Sequence, residues 1–234
     1  MKIQIGSFSF HKLLGAIVFI VLLASSQASF ADKKLVYEYY DQDKNDEDGA
    51  KQLVEIKDLS GGKKMFKRTI EGGDYKTQEE FVVNDQYETL EFSVKRADNQ
   101  TDYSGKVQDG MVVLKGMLEG QPVDKTIELD RKPFYYTPKF NLSKFVLSNL
   151  KELKFWMLRK DKLTKYLMQA KKEGVETISV NGKDVEAIKV YYSATGPGEK
   201  FYKRIYYFRK SDGIFLRKLD PKGEVSSADL TSER

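Results

Sequence analysis

The residues that most enzymes rely on for proton and metal chemistry are nearly missing from this chain. Its single histidine is His11, and it contains no cysteine. His11 falls in a segment that reads as a removable leader (below). Without it, Ser-His-Asp and Cys-His nucleophilic catalysis are excluded. So are zinc, haem and iron–sulfur sites that depend on His or Cys ligands. Carboxylate, lysine, tyrosine and hydroxyl chemistry remains. Two carboxyls flanking a cleft could hydrolyse a glycoside. With 35 acidic residues, however, pairs such as Glu79-Glu80 are not set apart from the solvated majority.

Two binding motifs can be tested directly. An EF-hand calcium loop needs D-x-[DN]-x-[DN]-G and a glutamate at its twelfth place. Asp41, Asp43 and Asn45 fit the first three ligand positions. Asp46 stands where the glycine is required and Gln52 where the bidentate glutamate is required. The tract at 41–49 therefore reads as a solvated acidic loop. The glycine clusters GGKK at 61–64 and GPGEK at 196–200 lack P-loop spacing and its Ser/Thr, and read as turns. No cofactor and no metal are expected.

The stretch at 201–217, FYKRIYYFRKSDGIFLR, interleaves aromatic and basic side chains. As a strand it puts Tyr202, Arg204, Tyr206, Phe208 and Lys210 on one face. Phe201, Lys203, Ile205, Tyr207 and Arg209 share the other. One reading is a core strand whose long basic side chains snorkel to water. The other is a strand with core on one face and a surface for a ligand or an anionic lipid headgroup on the other. Trp156, in the run Phe155 to Leu158, suits a core position or a cavity wall. The candidate ligand-lining residues are thus Trp156, Tyr192, Tyr202, Tyr206 and Phe208. Arg204 and Lys210 are the candidate headgroup or anion contacts.

These side chains must be positioned by strands. Turn signals recur, among them Asp109-Gly110, Glu119-Gly120, Asn181-Gly182 and Asp212-Gly213. Such pairs supply the positive φ that tight hairpins require. Between them lie short runs rich in β-branched and aromatic residues. Leu90, Phe92 and Val94 alternate with Thr89, Glu91 and Ser93, as in a half-buried strand. Residues 111–118, 185–194, 201–210 and 214–219 read as further strands. The expected fold is mainly β: a curved antiparallel sheet, half-barrel or open barrel. One principal helix is expected at about 141–153, from the spacing of Leu142, Phe145, Val146, Leu150 and Leu153, with Asn141 as its cap. A strand at 155–158, a turn at 160–162 and a strand at 164–170 should follow. The small, polar tail from Ser226 is expected to fray.

The N-terminus carries Lys2, His11 and Lys12, then an apolar run at 13–24, then small and polar residues to Ala31. This is the layout of a cleavable secretory signal. The apolar run is too short to span a bilayer as a helix, which takes roughly 20 residues. Small residues fit cleavage after Ala28 or after Ala31. Residues 1–31 are therefore expected to be a signal peptide and 32–234 a single β-rich domain. Without a cysteine there is no lipid attachment at the new terminus and no disulfide framework. Loss of two lysines with the leader lowers the net charge from +5 to +3, too mild a balance to argue for nucleic acid. The chain is expected to be exported, most simply to a bacterial periplasm, and not to be integral to the membrane afterwards.

The C-terminal half carries a further pattern: Glu173-Gly174-Val175-Glu176-Thr177, the Asn181-Gly182 turn, Val185-Glu186-Ala187-Ile188-Lys189-Val190, the aromatic strand Ile205-Tyr206-Tyr207-Phe208, and Asp212-Gly213. Over about 135–230 this resembles a family of exported bacterial proteins of unknown function. That family is similar in architecture to the periplasmic lipoprotein carriers, whose curved antiparallel sheet holds lipid under a helical lid. The resemblance implies a non-enzymatic envelope protein that binds a hydrophobic or amphipathic ligand, lipid or lipoprotein-like, on a concave face. The alternatives are a structural or protein-interaction module of the cell envelope and a carboxylate hydrolase.

Overall fold

The computed structural model describes residues 32–38, 50–72, 75–196, 202–219 and 228–234. The leader at 1–31 and the acidic tract at 41–49 lie outside the described residues, as do 197–201. Residues Asp32–Arg234 group as one compact unit. The first half contributes β1 (Lys33–Glu38), β2 (Lys51–Asp58), β3 (Lys64–Gly72), β4 (Tyr75–Val83), β5 (Thr89–Arg96), β6 (Thr101–Gln108), β7 (Met111–Leu118) and β8 (Gln121–Glu128). Two short helices follow, α1 (Pro138–Asn141) and α2 (Ser143–Leu147). The second half contributes β9 (Glu152–Arg159), β10 (Thr164–Val180), β11 (Lys183–Ala194), β12 (Lys203–Arg209), β13 (Phe215–Leu219) and β14 (Ala228–Glu233).

All fourteen strands belong to one antiparallel sheet, ordered β8-β7-β6-β5-β4-β3-β2-β1-β14-β13-β12-β11-β10-β9. Each half is a meander of neighbouring hairpins, and the halves meet where β14 pairs with β1. The sheet curls until its two edges approach. There Lys125 Nζ, on β8, donates to the Leu163 carbonyl at 2.8 Å, and Lys165 Nζ, on β10, donates to that of Glu128 at 2.6 Å. Backbone beyond β8 lies along β9: Trp156 N–H donates to Pro133 O (2.8 Å) and Tyr135 N–H to Trp156 O (2.9 Å). The result is an open barrel sealed on its ninth strand by an irregular segment.

Alternation puts one face of each strand inside. On β6, Thr101, Tyr103 and Gly105 are buried, while Asp102, Ser104 and Lys106 are exposed. The interior is filled largely by rings. Phe66 and Phe81 stack 4.8 Å apart, Phe92 and Tyr136 4.2 Å apart, and Phe140 of α1 lies 5.7 Å from Phe66. Gly105 makes room for this stack, since a Cβ there would stand 2.3 Å from the Phe92 ring. The Asn181-Gly182 hairpin forms with both residues at positive φ (53° and 70°), as its sequence requires.

Two expectations need correction. The helical segment begins earlier and ends sooner than 141–153. Pro138 opens α1, and the chain becomes extended at Ser148, whose Oγ donates back to Phe145 O. Phe145 and Val146 are buried as their spacing demands, but Leu150 is 55% exposed and Leu153 belongs to β9. Asn141 is not a cap: it closes α1 with its side chain fully buried. It accepts from Thr137 N–H (3.0 Å) and donates to Tyr87 O (2.6 Å) and Thr89 Oγ1 (3.1 Å), fastening α1 to the β4–β5 hairpin.

The second correction concerns the tail, which forms β14 within the sheet. Polar contacts hold it: Arg217 makes a fork with Asp229 (2.7 and 2.6 Å), and Arg209 NH1 stands 2.8 Å from Glu233. Asn181 Nδ2 donates to the carbonyls of Leu230 and Thr231 (2.9 and 3.0 Å). Such partners leave no trace in hydropathy.

Candidate functional site: a cationic cavity with aromatic walls

The alternation that fills the barrel with rings also carries charge inside. On β3, Arg68 follows Phe66 by two residues and shares its inward face. On β4, Glu79 precedes Phe81 by two. Arg68 and Glu79 are paired in register. Arg68 NH2 stands 3.2 Å from Glu79 Oε2, and Lys160, from the β9–β10 turn, places Nζ 2.7 Å from Glu79 Oε1. The Glu79 side chain is only 3% exposed, while that of Lys160 keeps 35% of its surface. The Lys160 ammonium also lies 4.2 Å from the centre of the Tyr136 ring, within cation–π range.

A second lysine enters from α1. Lys139 Nζ donates to Oε1 of the buried Gln52 at 2.6 Å and stands 5.4 Å from the Phe140 ring centre and 5.9 Å from that of Phe215. It neighbours the first cluster closely enough for the charges to act on one another. Burial alone would raise the Glu79 pKa; the Arg68 and Lys160 charges overcome that and bring it down to about 2. Desolvation pushes Lys160 down to about 8, against the opposing pull of Glu79. Desolvation, together with the charges of Arg68 and Lys160, holds Lys139 well below the ordinary lysine range. Burial keeps the Tyr136 hydroxyl protonated, with Glu79 adding to the effect.

These groups open onto a cavity of about 830 Å³. Its apolar wall includes Met157, Leu158, Met168, Tyr202, Tyr206 and Phe215. Arg68, Lys139, Arg159, Lys160 and Lys218 also line it, and no acidic residue does among the described residues. Arg159 is engaged outside by Asp161, at 2.6 Å. The chamber is therefore apolar in its walls and positive where its charges gather, with Glu79 as the buried counter-charge behind Arg68 and Lys160. Among the described residues no group of three or more His, Cys, Asp or Glu is placed to share a metal ion.

The residues singled out in the sequence lie at different depths around this chamber. Tyr202 and Tyr206 line it. Tyr192 sits fully buried behind the wall, 5.3 Å from the Tyr206 ring and 5.6 Å from that of Tyr202, with its hydroxyl 2.8 Å from Met157 Sδ. Phe208 is packed between Tyr206 and Phe215 and does not reach the cavity. Trp156 lies outside the lining, its ring flanked by Lys165 at 4.5 Å and Lys132 at 5.7 Å. Arg204 lies over the Tyr202 ring (5.1 Å) and donates to Lys203 O, and Lys210 pairs with Glu186 at 3.1 Å. Neither of these two cations is at the cavity. The cations that are, Arg68, Lys139, Arg159, Lys160 and Lys218, were not singled out by the sequence. The available signal was parity: Arg68 and Glu79 each fall two residues from a core phenylalanine, where a half-buried strand places its apolar side chains.

The fold has a solved counterpart. The chain is similar to a β-barrel-like protein of the domain of unknown function DUF1849 from Brucella abortus. The TM-score is 0.55 at 12% identity, covering 87% of this chain and 97% of that one. A weaker likeness, TM-score 0.40 at 8% identity, links it to a DUF1089 family protein from Pseudomonas aeruginosa, covering 73% of this chain and 89% of that one. No protein-family model matches the sequence. No curated protein matches it either. The likeness establishes a mainly β, barrel-like fold. Among the described residues no helix is long and apolar enough to cross a membrane.

Proposed function

We propose that this protein is a non-enzymatic, exported binding protein of the bacterial envelope. It holds a hydrophobic or amphipathic small molecule, lipid or lipoprotein-derived, inside the open barrel. The observation that carries the reading is the cavity of about 830 Å³, walled by methionine, leucine and aromatic side chains. Its size falls within the roughly 300–1,000 Å³ of small-molecule sites, and its mainly apolar lining with a few convergent polar groups is their usual make-up. The signal-like N-terminus supports export. The absence of histidine and cysteine from residues 32–234 supports holding over transformation. Glu79 supports it too: a carboxyl brought down to about 2 is a poor general acid near neutral pH.

The test is retention. Protein purified without detergent is extracted with organic solvent and the extract analysed by mass spectrometry, and a fluorescent fatty-acid probe is titrated into the extracted protein. Co-purified lipid, or saturable probe binding near one equivalent, is the expected result. No retained lipid together with no probe binding overturns the reading.

A further inference from the structure

Resting on that reading, we infer that Lys160 is a covalent attachment site, and that the ligand it captures is an aliphatic aldehyde, held as an imine with its chain along the apolar wall. The first observation is where the amine stands. Lys160 comes from the β9–β10 turn, and its side chain keeps 35% of its surface while lining the chamber. Met157, Leu158 and Met168, on the two strands that the turn joins, line the same chamber. An aliphatic chain lying on that wall can end beside the amine. A lysine in an apolar site or next to another cation is a usual form of activated nucleophile. Lys160 has both surroundings, since Arg68 holds the other oxygen of the Glu79 carboxylate. Desolvation, with the Arg68 charge, brings the Lys160 pKa down to about 8 in spite of Glu79. At pH 7.5 roughly a quarter of such amines carry a free lone pair, against about a thousandth of ordinary lysines.

Glu79 fits the product as well. Aldehyde capture joins Nζ to the carbonyl carbon, opens the C=O bond and expels its oxygen as water with two of the three ammonium hydrogens. The third hydrogen stays on nitrogen. Ammonium plus aldehyde thus becomes iminium plus water, with no change in net charge and no oxidant or reductant. A buried iminium needs a counter-ion. Glu79 is ionised near neutral pH, its pKa brought down to about 2, and its Oε1 already stands 2.7 Å from Nζ. The existing ion pair therefore survives the reaction.

The experiment incubates the protein with dodecanal, reduces any imine with cyanoborohydride and locates the alkylated lysine by peptide mass spectrometry. At pH 7.5 Lys160 is expected to react at least tenfold faster than the exposed Lys144. Its larger share of free amine sets that ratio, reduced by the weaker nucleophilicity of a less basic amine. Its rate should level off above about pH 8, while that of Lys144 goes on rising. Dodecanol, which has the chain but cannot condense, should slow capture at Lys160 and leave Lys144 unaffected. Lys160→Arg keeps a cation beside Glu79 without an amine nucleophile. It should lose the fast reaction and still bind the fluorescent fatty acid, which also reports that the variant is folded.

Reaction at Lys160 no faster than at Lys144, in protein that binds the fatty-acid probe, would overturn covalent capture and leave the cavity reading standing. Fast reaction that dodecanol does not slow would overturn it too, since the aldehyde would then meet a reactive amine without using the wall. Fast reaction confined to Lys139 or Lys218 would overturn the assignment to Lys160. Absence of both probe binding and fast labelling would overturn the cavity reading itself.

Discussion

Glu79→Gln is the sharpest perturbation available. It keeps the shape of the side chain and removes its charge, leaving Arg68 and Lys160 without their carboxylate. The magnitude follows from linkage. The Glu79 pKa falls from 4.5 to about 2 on folding. At about 1.4 kcal/mol per unit, the ionised carboxylate contributes about 3 kcal/mol at pH 7. That agrees with the roughly 3–5 kcal/mol lost when one partner of a buried pair is removed. Because the folded pKa is depressed, this stability is complete above pH 4.5 and is lost as pH falls toward 2. At pH 3.5 the same linkage leaves about 2 kcal/mol. For a domain of this size, about 3 kcal/mol corresponds to a Tm lower by about 6–12 °C. The assay is thermal unfolding by circular dichroism at pH 7 and pH 3.5, for the unmodified protein and Glu79→Gln, with Glu79→Gln/Lys160→Met as a third sample. The variant should melt lower at pH 7, the gap should narrow at pH 3.5, and the double variant should recover part of the loss. A Tm within 1 °C of the unmodified protein at pH 7, or a gap that does not narrow with acid, would refute the reasoning.

Three further outcomes are expected. Gly105→Ala places a Cβ against the Phe92 ring, which is itself stacked on Tyr136, and should cost about 1–3 kcal/mol in urea unfolding; combining it with Phe92→Leu should recover much of the loss, and additive costs would disprove the steric explanation. Asn141→Ala strands the Thr137 N–H and the Tyr87 carbonyl beneath α1 and should cost about 2–3 kcal/mol by the same measurement, against under 1 kcal/mol for an exposed change such as Lys144→Ala. Truncation after Leu219 deletes β14 and exposes the facing edges of β1 and β13; light scattering should show association, and a monodisperse monomer with intact probe binding would show that β14 is dispensable.

How far the sequence was readable depended on where each element draws its stability. The hairpins at Asp109-Gly110, Glu119-Gly120 and Asn181-Gly182 were legible because positive φ restricts residue choice locally. The strand at 89–96 was legible because its one-sided burial writes an alternation into the sequence. β14 was not, because it is held by Asp229, Glu233 and backbone groups whose partners lie far along the chain. The helix was half legible: Phe145 and Val146 report a buried face, but its end depends on β9 drawing Leu153 into pairing. Of the residues that border the cavity, Tyr202 and Tyr206 were conspicuous in the sequence through their aromatic and basic stretch. Lys139 and Lys160 were not, since a lysine beside a proline or in a turn looks like any solvated lysine until the fold turns it inward. Arg204 and Lys210 attracted attention by composition, yet their partners are Tyr202 and Glu186.

The pairing of β1 with β14 has a consequence for the order of events in making the protein. Lys34 and Arg234 exchange both backbone hydrogen bonds, at 2.8 and 3.0 Å, so the middle of the sheet joins positions two hundred residues apart. Each meander can zip from local hairpins, but their union waits for the longest loop closure in the molecule, and such non-local pairing is intrinsically slow. During synthesis the first eight strands emerge with β1 still an unfilled edge, and the barrel cannot close until residue 234 is out of the ribosome. A topology of this kind lets each meander form early and leaves their union to the last step of folding.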